Sequence, residues 1–190
     1  HAIPRRQRQM CIRDSPIRNK RKTLQATVDE IRNFALAYVD KYAPSKQQLR
    51  TYLLKKYLKL SVPNIKKQDV TNLIDVVLSD LEKSKFINDK FYSESKAKSM
   101  IRRGSSINKI RNYLIGKGVK DQFIKDTVNK INENNSDQDF FSAIKICKKK
   151  KIGPARTEDN RPLFYKKDIS LLARNGFDFE TSKKVMDLQK

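Results

Sequence analysis

Apolar residues recur at helical spacing along most of this chain, with polar residues filling the intervals. Ile31, Phe34, Ala35, Tyr38, Val39 and Tyr42 fall on one helical face. The preceding TVDE (27–30) reads as a capping box, in which Thr27 accepts an amide and Glu30 reaches back. Pro44 ends that helix, and Ser45 with Gln48 caps a second that turns Leu49, Tyr52 and Leu53 inward. A third helix carries Val70, Leu73, Ile74, Val77, Leu78 and Leu81.

The pattern then repeats. A second trio is predicted at 89–103, 106–117 and 121–132, with Phe91 and Met100, then Ile107, Ile110 and Leu114, then Phe123, Ile124, Val128 and Ile131 as inward residues. A third is predicted at 138–151, 166–175 and 178–188, using Phe140, Phe141, Ile144 and Cys147, then Ile169 and Leu172, then Val185 and Met186. The stretches YLIGKGVKDQFIKDTV (113–128) and LLARNGFDFETSKKVM (171–186) share one helix-glycine-helix phrase. Gly118 and Gly176 stand where a left-handed residue turns the chain after the second helix of a trio. The first trio has no such glycine in KKYLKLSVP (55–63), so an irregular turn or extra helical residues are expected there.

These elements predict an all-α fold of three tandem three-helix repeats at 26–85, 86–134 and 135–190, behind a disordered basic tail at 1–25. A unit this small buries little by itself, so neighbours must stack, and the expected result is an elongated, curved array with a concave side. Composition agrees, since 37% hydrophobic and 34% charged residues leave a thin core.

Charge adds the first functional constraint. The chain has 43 Lys plus Arg against 21 Asp plus Glu, a formal net charge of +22, which favours a polyanionic partner. No apolar run is long enough to span a membrane and no secretory signal is evident, so the chain reads as cytoplasmic, without a membrane partner. The opening HAIPRRQRQMCIRDS (1–15) has no hydrophobic period, and MCIRDS can be encoded by a transposon-end sequencing adapter; residues 1–15 are expected to be adapter read-through. Taking away its four arginines and one aspartate leaves +19, so the inference from charge stands.

Catalytic chemistry is sparse. The one histidine is His1, Cys11 and Cys147 form no ligand pattern, and no phosphate-binding glycine motif occurs. No catalytic residue, metal site or cofactor is expected, and the chain is not read as an enzyme.

Basic residues are instead concentrated. Nine lie between Lys96 and Lys125 with Asp121 the only acid, and nine more between Lys145 and Lys167 with only Glu158 and Asp159. Arg102 and Arg103 precede Gly104-Ser105-Ser106, where free amides at a helix start are expected to help hold phosphate oxygens. Lys109 lies opposite the apolar stripe of its helix and Arg111 beside it, so a continuous patch must be assembled between repeats. No helix offers a set of base-reading side chains, and binding is expected to follow backbone charge and shape.

The stretches SKQQLRTYLLKK (45–56), FINDKFYSESKAKSMIRRGSSINKIRNYLIGKGV (86–119), KKKKIGPAR (148–156) and LARNGFDFETSKKVM (172–186) resemble RecX regulatory proteins, and the likeness runs from about Ile31 to the C-terminus. The chain departs from that pattern at the missing first corner glycine and at Tyr92-Ser93. The resemblance implies a monomeric helical-repeat protein that binds in the groove of the RecA–DNA filament and modulates it, most commonly by inhibiting ATP hydrolysis and strand exchange in recombination, repair and the SOS response. DNA, single- or double-stranded, would be contacted through its backbone. The candidate contacts are Arg102, Arg103, Lys109, Arg111 and Lys117 in the central repeat, Arg50, Lys55 and Lys56 in the first, and Lys148, Lys149, Lys150, Lys151, Arg156 and Arg174 in the third. Two rival readings need less: a nonspecific nucleic-acid binder acting without a recombinase, or a scaffold for an acidic protein.

Overall fold

A computed structural model describes residues 26–59 and 66–188; the expected tail at 1–25, the adapter-like opening within it and most of the first corner lie outside the described residues. Among the described residues there are nine α-helices, one 3-10 turn and no strand. Helices α1 (Val28–Tyr42), α2 (Lys46–Lys59) and α3 (Lys67–Lys83) pack on one another, as do α4 (Asp89–Arg102), α5 (Ile107–Gly116) and α6 (Asp121–Asn134), and then α7 (Gln138–Lys150), α8 (Asn160–Arg174) and α9 (Phe179–Met186). Each group encloses its own apolar cluster: Ile31, Leu53, Ile74 and Leu78 in the first, Ile110, Leu114, Ile124 and Val128 in the second, Ala143, Ile146, Leu172 and Val185 in the third.

Local chemistry explains the helix starts. Thr27 Oγ1 accepts from the Glu30 amide at 3.3 Å, but the Glu30 carboxylate does not return the contact; it lies 3.5 Å from the Tyr57 hydroxyl. The Ser45–Gln48 box closes in both directions, at 3.2 and 3.3 Å. Asn88, Ser106 and Asp178 cap α4, α5 and α9 through their side chains. Helix α8 begins at Asn160, six residues before the position expected at 166, because Pro162 falls within its first turn, where a proline has no intrahelical amide bond to lose.

Three residues expected on apolar faces are outside, Tyr42 at the end of α1 among them. Phe91 is 68% exposed and Phe141 is 48% exposed, and the residues that follow each of them, Tyr92-Ser93 and Ser142-Ala143, are buried instead. The unusual Tyr92-Ser93 pair is thus accommodated in the core, where Thr127 Oγ1 donates to Ser93 Oγ at 3.0 Å.

One lock joins the groups twice. Ser45 Oγ donates to the Lys117 carbonyl at 2.7 Å, and Ser106 Oγ donates to the Asn175 carbonyl at 2.8 Å. The first amide of α2, on Lys46, donates to Asp89 Oδ1 at 2.8 Å, and that of α5, on Ile107, donates to Asp139 Oδ1, also at 2.8 Å. Each corner glycine is then pressed against the cap of the preceding group. A Cβ on Gly118 would lie 2.5 Å from Gln47 Cβ, and one on Gly176 would lie 2.6 Å from Ser106 Oγ. Both glycines have positive φ, +69° and +88°, so neither conformation nor space admits a side chain. The repeated phrase is a corner and a docking point together.

Candidate nucleic-acid interface

Ion pairing separates the candidate cations. Arg50 holds Asp75 through two contacts, Nε–Oδ1 at 2.6 Å and a second nitrogen to Oδ2 at 2.9 Å, and this bond keeps the Asp75 carboxyl below its ordinary range. Arg156 does the same with Asp168, at 2.7 and 2.9 Å, and its guanidinium lies 4.5 Å from the Phe164 ring centre. Burial alone would raise the Asp168 carboxyl; the bonds from Arg156 and from the Gly153 amide at 2.9 Å outweigh it and leave the group low. Arg156 therefore pins the glycine-proline turn Gly153–Ala155 onto α8, with Met186 packed so closely that a Cβ on Gly153 would lie 2.6 Å from its sulfur.

The remaining candidates, Lys55, Lys56, Arg102, Arg103, Lys109, Arg111, Lys117, Lys148, Lys149, Lys150, Lys151 and Arg174, have no carboxylate within ion-pair distance among the described residues. All are exposed except Lys56 and Lys117, which are half-buried. Lys148, Lys149 and Lys150 form the last turn of α7 and Lys151 its left-handed cap, so four ammonium groups surround the negative end of a helix dipole. Beneath them the Cys147 thiol is pushed up to about 11 by burial and the Asp168 charge, which removes its nucleophilic form at neutral pH.

The locks bring candidates from different groups together. Lys55 and Lys117 line one groove of about 400 Å³ with Tyr38 and Tyr52, whose rings stack at 4.0 Å. Lys109 Nζ donates to Asn175 Oδ1 at 3.1 Å, which places it beside Arg174 in the neighbouring group. The helix start after Arg102-Arg103 differs from expectation. Two of its amides are taken: Asp139 accepts that of Ile107 and Ser106 accepts that of Lys109 at 3.1 Å. Arg103 turns back to Ser99 Oγ at 2.8 Å.

Aromatic partners were absent from the reading of charge. Lys56 Nζ sits 3.1 Å from the Phe34 ring centre and 5.8 Å from that of Tyr52, and Lys117 Nζ is 5.3 Å from Tyr113. The i,i+4 spacing of Tyr52-Lys56 and Tyr113-Lys117 was the available signal. No cluster of metal-ligating side chains occurs among the described residues, and no helix among them is long and apolar enough to cross a membrane.

Comparison with known proteins supplies the family. No family model matches the chain. A regulatory protein RecX of Myxococcus xanthus (strain DK1622) is 31% identical over 83% of this chain and 84% of its own length. Another, of Clostridium botulinum (strain Eklund 17B / Type B), is 25% identical over 92% of this chain and 76% of its own. A crystal structure of a regulatory protein RecX shares the fold, with a TM-score of 0.57 and 17% identity, covering 85% of this chain and 74% of that one. At that identity the structural likeness speaks for the all-α architecture, and the Myxococcus match over most of both chains decides the lineage: this chain belongs to the RecX family.

Proposed function

We propose that this protein is a regulator that binds the RecA–DNA filament and inhibits ATP hydrolysis and strand exchange, without catalysis of its own. The observation that carries the reading is the distribution of unpaired cations over all three helix groups of a RecX-family chain. A solvated surface needs fewer such charges, and a helical nucleoprotein presents phosphates along a comparable length. The three groups act as successive repeats that form an arc along the filament. Lys55, Lys117, Lys109 and Arg174 lie at the two joints, while Arg102, Arg103, Arg111 and the lysine run at 148–151 extend the footprint. Ligands that bridge adjacent protomers favour one filament state and so oppose the subunit motion that accompanies hydrolysis. The protein acts as a cytoplasmic monomer.

Cosedimentation with three targets tests this: the RecA filament, the bare strand, and RecA alone. Preference for the filament is expected. Equal affinity for filament and bare strand would leave a nonspecific binder, and binding to RecA without DNA would leave a protein scaffold. Charge reversal at Arg102, Arg103 and Arg111 together is expected to weaken inhibition at least tenfold; full inhibition by that variant removes the central group from the contact surface.

A further inference from the structure

We infer that the groove between the first and second helix groups is a stacking site for unpaired nucleobases of a single strand. It encloses about 410 Å³ and is lined by Tyr42, Phe86, Phe91 and Tyr92, with Lys85 and Lys96 among the other lining residues. Three of these rings are solvated to an unusual degree, Tyr42 at 54%, Phe86 at 59% and Phe91 at 68%. Covering such rings is favourable, so gathering three of them uncovered around one groove marks a surface completed by something else.

The corresponding position of the other joint is closed. At the other joint the end of α4 lies directly on α7: a Cβ on Gly104 would come 3.1 Å from the Ser142 carbonyl and 3.2 Å from Lys145 Cβ. Sixty-one positions earlier, the offset that also relates Ser106 to Ser45, stands Ala43, which is exposed and lines the groove. Phe86 projects from the turn after α3, where Lys85 adopts a left-handed backbone at φ 60°.

Charge selects the occupant. The groove lining contains two lysines and no carboxylate, Lys41 Nζ lies 5.2 Å from the Tyr42 ring centre, and Lys96 Nζ lies 5.7 Å from that of Tyr92. Rings flanked by ammonium groups suit a ligand in which flat π-faces alternate with phosphates. Asn88 Oδ1 is committed to the Phe91 amide at 3.0 Å, which leaves its amide nitrogen as a donor at the wall. An acidic peptide would match the charge, but the cavity has small-ligand dimensions, and a docked helix needs anchors over several turns. The site adds base contacts to the backbone contacts proposed above and does not require a recombinase.

The test compares a homothymidine oligonucleotide with an abasic strand of the same length and phosphate count. The wild-type chain is expected to bind the thymine strand about tenfold more tightly, in line with the usual effect of one stacked base. Phe86→Ser/Phe91→Ser, whose rings lie outside the core, is expected to retain helicity and bind both strands at the abasic affinity. Phe141→Ser, which removes the exposed ring at the closed joint, is expected to leave the discrimination intact. The chain has no Trp, so tyrosine emission reports binding, and Tyr42→Phe is expected to reduce its quenching by the thymine strand. Equal wild-type affinity for the two strands overturns the site, as does full discrimination by the double variant. So does an equal loss in Phe141→Ser. A double variant that binds thymine normally but loses a RecA filament would make the groove a protein-docking surface instead; failure of filament regulation alone leaves the base site standing.

Discussion

The two joints use one set of bonds in different surroundings. Each has a capping serine donating to the last carbonyl of a neighbouring helix, an aspartate accepting a first-turn amide, and a glycine against the cap. Around the first, Asp89 shares its environment with Glu82, Lys46 and Lys120, and Lys46 pairs with Glu82 at 2.5 Å. Around the second, the nearby charge acting on Asp139 is Asp178. The first joint opens into an aromatic groove, while the second is closed at Gly104. Register is thus fixed by a few backbone-directed bonds, and side chains a few ångströms away are free to diverge in charge and exposure.

Replacing the corner glycines gives the largest effect. Gly118→Ala and Gly176→Ala are each expected to cost about 2–4 kcal/mol, from left-handed backbone strain together with the clash, and thermal unfolding would measure it. If one substitution is harmless, the joints are not equivalent. Next come Ser45→Ala and Ser106→Ala, which remove a helix cap and leave a carbonyl without its donor; each is expected to cost about 1–2 kcal/mol in denaturant titrations.

Acidity separates the joints further. Burial raises the carboxyls of both Asp89 and Asp139, opposed in each case by the amide bond. A folded-state pKa above the unfolded one means that the folded form binds more protons between the two values. The contribution of either aspartate to stability therefore falls as pH rises through that window and is greatest below it. At Asp89 the Glu82 charge adds to the rise while Lys46 and Lys120 offset it, whereas at Asp139 the Asp178 charge adds to it and no cation opposes. Asp139→Asn is expected to flatten the stability profile just above the ordinary carboxylate range more than Asp89→Asn does. The reverse order would show that the neighbouring charges do not set the difference. The smallest change is expected at Ala43, left-handed at φ 40° where the second group has Gly104 at φ +84°. Ala43→Gly should stabilise by about 0.5–1 kcal/mol and Gly104→Ala should destabilise, a pair of opposite signs readable in melting temperature.

The parts of this arrangement legible in the sequence were those encoded locally. Capping serines, apolar stripes and two corner glycines predict the helices and the all-α class, because each acts over three or four residues. Neighbours far along the chain escaped that reading. Nothing near Arg102-Arg103 announces that Asp139, thirty-two positions from Ile107, will occupy the amide there. Phe91 and Phe141 have the hydrophobicity of core residues, yet the helix face that meets the core begins one position later in both cases. Glu30 satisfies a capping pattern and instead approaches Tyr57 on another helix. Among the candidate contacts, residue type could not separate Arg50 and Arg156, held by carboxylates, from Arg102, Arg103, Arg111 and Arg174, which are not.

The locks also give the stack a direction. Each passes a hydroxyl and an amide from the start of one helix to the group that follows, and the corresponding helix of the third group, α8, has Asp159 at its cap position with no side-chain bond. The hydroxyl of the lock is thus not offered a third time, and the same contact is made at two joints among the described residues.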